Sequence, residues 1–253
     1  MPTMTTATTP GTIAMSSGQL AAVALSTIRS VLGGERCQYL SAPITGGPRL
    51  LDWHRRIGRG LPDRERSAGR SLAVTRPNID DVIRLAEEQR SAGRRTIEPG
   101  SFEADFPQWG QPEFYAFWNV VLERHADRAT FADGWNFSAG CTFEYLCAVR
   151  HGLPTVDIRG KAIDPDTALG LIDEALSTID SHWLREDPRD GSLAALYEGI
   201  GLQRRAIAAL RRSGDAAPDA HAGAALASIH ASTSLRGHGS DTRAEGRHHA
   251  AQG

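Results

Sequence analysis

The sequence predicts an α/β protein: a parallel sheet covered by helices on both faces, with ligands bound at the carboxyl ends of the strands. Two observations predict it. Short apolar runs alternate along the chain with longer segments whose apolar residues recur at helical spacing. Gly or Pro stands at several of the changes from one type to the other, as at Gly33 and Pro99.

In the first half of the chain, Leu20, Ile28 and Leu32 predict a helix over 17–32, which Gly33 ends. A strand over 37–41 follows and leads into a Gly-rich turn. Residues 49–75 are rich in Arg and lack a clear period, so we expect an insertion or a loop there.

The remaining elements follow from the same signals. They are a helix from Pro77 to Gly93, a strand over 95–98, an aromatic loop over 101–111, a helix from Pro112, a strand over 128–132, a helix over 139–150 capped by Ser138, a strand over 154–158, a helix from Asp164 to about Trp183 and a helix over 191–212.

Composition divides the chain into three parts. Residues 1–15 are rich in Thr and are predicted to be disordered, and residues 16–212 are predicted to form one α/β domain. Residues 213–253 have almost no large apolar side chains, so burial there cannot offset the entropy of ordering, and we expect a disordered tail. That tail holds five of the nine His residues, which leaves metal binding open, although a solvated tail is favoured.

Charge and hydropathy exclude several classes of protein. The 253 residues include 28 basic and 30 acidic ones, a net charge of -2, whereas a dedicated nucleic-acid-binding protein normally carries a basic face. No apolar run approaches the roughly 18–20 residues that span a bilayer, so no membrane is expected as a partner. The three cysteines form no C-x-x-C pair, which disfavours structural zinc. Their odd number, and the lack of a signal-peptide pattern, favour a cytoplasmic protein.

Two segments that follow predicted strands carry the residues best suited to chemistry, 39–47 and 133–144. In a parallel sheet both open on the same edge, so we expect them to meet. Gly46 and Gly47 are small enough to bring backbone N–H groups to an anion. Ser138 and Gly140 lie at a predicted helix N-terminus, which favours phosphate.

Taken together, these segments resemble the nucleoside 2-deoxyribosyltransferase superfamily, including its nucleotide N-hydrolases. The resemblance covers about residues 36–180 and is strongest where Ser138, Gly140 and Glu144 are spaced as S-x-G-x-x-x-E. The matching segments are 39–47, 92–99, which is similar to "G..V.NP", 126–127, 134–148, which is similar to "gW..S.Ga..E...A", and 152–156.

The resemblance implies a flavodoxin-like sheet and cleavage of an N-glycosidic bond. It implies that Glu144 attacks the anomeric carbon or stabilises the cation that develops there, with Tyr39 close to both. Ser138 stands where the transferases generally have Asp, which favours a nucleoside 5′-monophosphate over a nucleoside. No metal or redox cofactor is implied, and a homodimer or larger homo-oligomer is. The implied substrate-binding residues are Ser41, Ile44, Gly46, Gly47, Trp135, Ser138 and Gly140.

One position departs from the family pattern. Asn119 stands where an Asp usually helps with the sugar hydroxyls and the proton, and an amide cannot act as a base. Glu113, Glu123 or Asp133 would have to substitute, or the mechanism differs, or turnover is lost. The alternative function is therefore a nucleotide-binding sensor or partner subunit without catalysis. A weaker third alternative is a scaffold that acts through its tails.

Overall fold

The computed structural model describes residues 16–103, 106, 109–181 and 191–214. The two predicted disordered tails lie outside these ranges, apart from Ser213 and Gly214, which extend the last helix. The last helix therefore ends at Gly214, two residues beyond the helix end predicted at 212.

Four parallel strands form the sheet: β1 (Cys37–Ser41), β2 (Thr96–Ile97), β3 (Ala126–Phe131) and β4 (Thr155–Asp157). Their order is β2-β1-β3-β4, which is the order of the first four strands of a flavodoxin-like sheet. The predicted strands are confirmed, with ends shifted by up to two residues. All four carboxyl ends lie at one edge, and β1 and β3 are neighbours in the middle of the sheet.

Nine α-helices surround the strands within the described ranges. They are α1 (Ser17–Leu32), α2 (Pro48–Arg56), α3 (Asp63–Arg70), α4 (Arg76–Ser91), α5 (Gly100–Glu103), α6 (Gln111–His125), α7 (Ala139–Arg150), α8 (Pro165–Ile179) and α9 (Gly191–Gly214).

The two faces of the sheet bury different clusters. Tyr39 and Phe131 belong to the larger cluster, which includes α6 and α7. Leu40 and Ala132 belong to a smaller cluster with Val82 of α4. Because successive strand residues point to opposite faces, α4 covers one face of the sheet and α6 and α7 cover the other.

The expectation of an irregular segment over 49–75 is wrong. This segment forms α2, a short 3₁₀ turn at Gly58–Gly60, α3 and a π-helical turn at Ser71–Thr75. Leu50, Leu51 and Trp53 are buried on one face of α2, and the Trp53 ring packs against Gly58, where an added Cβ would lie 2.7 Å from it. Because Arg residues cluster in this segment, its short apolar face cannot be recognised from the sequence.

Helix α7 follows β3 and is buried over eight consecutive residues, Cys141 to Ala148. It begins as predicted at Ser138, whose Oγ accepts the Cys141 N–H at 3.4 Å. Helix α8 begins as predicted after Asp164, which accepts the Thr167 N–H at 2.8 Å. Its α-helical part ends at Ile179, and the predicted end at about Trp183 lies outside the described residues.

The predicted aromatic loop over 101–111 is helical at both ends, since residues 101–103 belong to α5 and residue 111 begins α6, and its described rings pack into the core. Phe102 meets Trp118 of α6 edge to face, with ring centroids 5.2 Å apart. Phe106 stacks on Trp109 at 4.5 Å. These rings anchor the segment in front of α6, on the face that carries α7.

Candidate active site

Glu144 is the centre of the candidate site. It lies in the second turn of α7, just beyond the carboxyl end of β3, and is only 7% exposed. A carboxylate that is buried to this degree needs hydrogen-bond partners, because desolvation of the charge is costly.

Two hydroxyl groups from β1 supply such partners. The Tyr39 hydroxyl donates to Oε1 of Glu144 at 2.8 Å, and the Ser41 hydroxyl donates to Oε2 at 2.5 Å. Tyr39 and Ser41 are two residues apart on one strand, so both point to the face that carries α7. Each oxygen of the carboxylate receives a bond, which fixes its plane.

The acidities of the neighbouring groups keep them protonated. Burial, and then the negative charge of Glu144, raise the pKa of the Tyr39 hydroxyl well above its ordinary value, so it remains a donor. Burial and the same charge raise the pKa of the Cys141 thiol to about 12. A thiol of this acidity is a poor nucleophile at neutral pH.

Glu144 opens into a small cleft between α7, α6 and the β1–α2 loop, which we call the Glu144 cleft. Ser138 and Gly140 at the start of α7 line it beside Glu144, as the sequence predicts, and Ile44 lines it from the loop. Phe114, Tyr115 and Trp118 form its wall on α6. Its volume of about 50 Å³ has room for a few water molecules, whereas small-molecule sites usually measure about 300–1,000 Å³.

Gly46 and Gly47 form the predicted tight turn, but they serve loop packing. Gly47 has φ +83°, and its N–H donates to the Phe137 carbonyl at 3.0 Å. A Cβ on Gly46 would lie 3.2 Å from that same carbonyl oxygen. The two glycines therefore bring the β1–α2 loop against the segment before α7, and the Gly47 amide is already bonded within the protein.

Asp133 lies apart from Glu144. It forms a two-bond ion pair with Arg159, at 2.8 and 2.9 Å, and its side chain is 70% exposed. Its hydrogen bond from Arg159 lowers the pKa of the Asp133 carboxyl. Asp133, Gly46 and Gly47 line a second, larger depression of about 350 Å³ on the α4 side of the loop, which we call the α4 cavity.

Asn119 also lies apart from Glu144. Its Oδ1 is 3.1 Å from Nε2 of His151, at the C-terminal end of α7. His151 is seven residues beyond Glu144 along the helix, which corresponds to about 10 Å. Burial, chiefly, lowers the pKa of His151, so the neutral ring is the form that pairs with the amide near pH 7.

Two other predicted positions are accounted for by local packing. Trp135 is buried and stacks on Tyr145 at 5.1 Å, which places it in the core. Glu113 accepts the Gly110 N–H at 3.0 Å and caps its own helix. Among the described residues that line the Glu144 cleft, Glu144 is the one carboxylate.

Sequence reasoning missed two contributors to the site. Tyr115 lines the cleft, and its ring stacks on Phe143 at 4.1 Å with an interplanar angle of 14°. Asn78 of α4 donates to the Ile44 carbonyl at 2.8 Å and so holds the β1–α2 loop. The spacing of the aromatic residues in α6 predicts that they are buried, but not what the rings contact. The position of Asn78 next to Pro77 indicates only the start of a helix.

The fold and the buried carboxylate define the class: a Rossmann-like α/β protein with its candidate site at the carboxyl edge of the parallel sheet. No protein-family model, curated protein or solved structure matches the chain. Within the described ranges, no group of three or more metal-ligating side chains occurs, and no helix is long and apolar enough to cross a membrane.

Proposed function

We propose that this protein cleaves the N-glycosidic bond of a nucleoside 5′-monophosphate or nucleoside, as an N-hydrolase or a deoxyribosyltransferase. The observation that carries the proposal is the buried Glu144 carboxylate, oriented by the Tyr39 and Ser41 hydroxyls and opening into a cleft at the helix N-terminus marked by Ser138. A carboxylate beside the anomeric carbon can stabilise the positive charge that develops there during glycosidic cleavage.

In the proposed reaction, the bond between the anomeric carbon and the base nitrogen breaks, and its electron pair leaves with the base. Glu144 attacks the anomeric carbon or stabilises the positive charge that develops on the sugar. Water, or an acceptor base, then takes the sugar. Since Glu144 is the one carboxylate among the described lining residues, we assign protonation of the leaving base to water rather than to a second acid.

Tyr39 and Ser41 act as positioning residues in this proposal. Their hydroxyls hold the two Glu144 oxygens, and neither needs to change protonation during the reaction. Because the pKa of Tyr39 is raised, its hydrogen bond persists at alkaline pH. The orientation of the carboxylate is therefore set before the substrate arrives, which lowers the reorganisation that the reaction requires.

Ser138 and Gly140 support a phosphate at the other end of the substrate. Both line the cleft at the N-terminus of α7, where backbone N–H groups and the helix dipole favour an anion. A cleft of about 50 Å³ is too small for a nucleotide, so the proposal requires the β1–α2 loop or the α6 rings to move apart on binding.

The resemblance of residues 36–180 to the nucleoside 2-deoxyribosyltransferase superfamily adds support to the proposed reaction. The homo-oligomer and the cytoplasmic location that the sequence favours remain predictions. Light scattering on the purified chain measures the first, and fractionation of cells that express it measures the second.

A second candidate function is nucleotide binding without turnover. Two observations favour it: Asn119 pairs with His151 away from the cleft, and the described lining supplies one carboxylate rather than two. A sensor of this kind would bind a nucleotide and release it unchanged.

One experiment separates the two candidates. Wild type, Glu144→Gln and the control Glu87→Gln, an exposed residue of α4, are incubated with a panel of nucleosides and their 5′-monophosphates. Base release is measured by chromatography, with far-UV circular dichroism as a check of folding. We expect release by wild type and the control and a loss of at least about 10³-fold in Glu144→Gln.

Two results would decide against glycosidic cleavage. If wild type releases no base but a nucleotide raises its melting temperature, the sensor is the correct function. If Glu144→Gln folds and releases base at the wild-type rate, the chemistry does not use Glu144.

A further inference from the structure

The α4 cavity is separate from the Glu144 cleft and has the volume of a small-molecule site. At about 350 Å³ it lies within the usual range, whereas the cleft is far below it. It opens at the carboxyl ends of β1 and β3. At this point in the sheet, the connections from the two neighbouring strands run over opposite faces. In open α/β sheets, ligands usually bind at this point.

Two guanidinium groups stand in the cavity wall. Arg49, in the first turn of α2, donates to Asn78 at 2.6 Å and to Asp81 at 2.9 Å. Arg84 reaches the same Asp81 carboxylate at 3.5 Å. In the part of the chain that the structure describes, the two bonds of Arg49 use two of its five N–H donors and hold the group in place.

Hydrogen-bond donors at the cavity, rather than its net charge, favour an anion. Of the two carboxylates in the wall, Asp81 is shared by Arg49 and Arg84, and Asp133 is paired with Arg159. The wall therefore holds two guanidinium groups and two carboxylates, and Arg159 and Glu88, which pair with Asp133 and Arg84 from outside it, balance each other. Both wall carboxylates are thus occupied, while among the described residues three N–H donors of Arg49 remain beyond its bonds to Asn78 and Asp81.

The rest of the wall is largely apolar. Val82 and Leu85 of α4, Ala132 after β3 and Ile158 after β4 line it together with Pro43 and Pro48. A ligand that fits both parts of the wall has a charged end and an apolar body. Inorganic phosphate satisfies only the guanidinium part, and an uncharged hydrocarbon satisfies only the apolar part.

We propose that the α4 cavity is a second ligand site that takes a small organic anion, a carboxylate or phosphate ester on an apolar body, with Arg49 and Arg84 as its anion-binding residues. This site does not depend on the reaction proposed for Glu144. The two depressions share the β1–α2 loop, since Asn78 bonds both Arg49 and the Ile44 carbonyl. An anion that draws Arg49 from Asn78 therefore alters the support of a loop that lines the cleft.

Four probes test the site by titration calorimetry at constant ionic strength: phenyl phosphate, phenylacetate, inorganic phosphate and benzyl alcohol. We expect phenyl phosphate, phenylacetate or both to bind at one site, at least tenfold more tightly than the other two. Binding of one alone identifies the anion as phosphate ester or carboxylate. The double variant Arg49→Gln/Arg84→Gln is expected to weaken binding at least tenfold, and Ser138→Ala to leave it unchanged.

Ile158→Glu, which adds a negative charge to the apolar wall, is expected to weaken binding as well and keeps the test valid if the double variant does not fold. The proposal fails if neither aromatic anion binds, if inorganic phosphate binds as tightly as phenyl phosphate, or if folded Arg and Ile158 variants bind like wild type. It also fails if Ser138→Ala abolishes binding, which would place the anion in the Glu144 cleft. None of these results depends on base release.

Discussion

The Glu144 cleft and the α4 cavity lie on opposite sides of the same loop and differ in burial, charge and size. In the cleft, one buried carboxylate is held by two hydroxyls that belong to the sheet. In the cavity, partly exposed arginines and aspartates pair with one another around a larger space. The comparison shows that volume and organisation separate in this molecule: the larger depression has more space, and the smaller one holds the buried and oriented carboxylate.

The reactivity of Cys141 tests how well the cleft is shielded. With a pKa of about 12, its thiolate fraction at pH 8 is about 10³-fold below that of an ordinary thiol, so iodoacetamide should modify it about that much more slowly. Mass spectrometry of the Cys141 peptide after timed alkylation measures the rate, and the urea-unfolded chain serves as the control. Alkylation of the folded protein at the unfolded rate would show that solvent reaches the cleft.

Replacement of the Tyr39 hydroxyl tests whether the cleft is organised for catalysis. Tyr39→Phe leaves one oxygen of the Glu144 carboxylate without this donor, so we expect base release to fall about 10²-fold and stability to fall by about 1–3 kcal/mol. The matched control is Tyr145→Phe, which removes a buried hydroxyl bonded to the Ile163 carbonyl at 3.0 Å. It should lose about 1 kcal/mol of stability and no activity.

Base-release kinetics and urea unfolding measure both effects. If the two variants lose activity equally, Tyr39 contributes to stability and does not orient Glu144 for catalysis.

Substitution of Gly47 tests how tightly the loop shared by the two depressions is packed. Gly47→Ala meets both an unfavourable φ of +83° and Pro43, whose Cβ would lie 2.7 Å away, so we expect a loss of about 2–3 kcal/mol. Gly93→Ala has a similar φ of +80° but nothing within 4 Å, and should lose about 1 kcal/mol. Urea unfolding of both variants isolates the contribution of the close approach. If the two losses are equal, the contact with Pro43 relaxes and the loop is less tightly packed than described.

The smallest effect is expected from the ion pair beside the α4 cavity. Arg159→Gln removes an exposed partner of Asp133, and solvent screening makes the loss of stability at pH 7 small. Because Arg159 lowers the pKa of Asp133 below 3.8, the stabilisation is present above that pH and is lost as the pH falls through the lower folded value. Unfolding of wild type and variant at pH 7 and pH 2.5 checks this. A difference that persists at pH 2.5 would assign the effect to packing of the Arg159 side chain.

Most of the fold could be predicted from local sequence signals. The strands at 37–41 and 128–132 and the cap at Ser138 are confirmed near their predicted bounds, because apolar period and capping residues act within a few positions. Residues 49–75 could not be predicted in this way. Their helices depend on the burial of Leu51 and Trp53, and an Arg-rich composition conceals which face is buried.

The candidate site was predictable only in part. Ser138, Gly140 and Glu144 lie within seven residues on one helix, so their grouping follows from helical geometry. Asp133 lies two residues after the end of β3, close to the predicted strand end, yet it is on the α4 side of the loop and pairs with Arg159. Position next to a strand end does not determine the face toward which a side chain turns.

By itself the sequence determined the alternation of strands and helices, the start of α7 and the spacing that places Glu144 in the second turn of that helix. The tertiary structure decided that the Tyr39 and Ser41 hydroxyls meet the Glu144 carboxylate across more than 100 residues of chain. It also decided that Asn119 does not reach Glu144, and that the shared loop divides two depressions of unlike character. The physical reason is the separation along the chain over which each interaction acts. Helix caps and apolar periodicity depend on residues a few positions apart, whereas the hydrogen bonds of the buried carboxylate form only when the sheet and α7 have packed together.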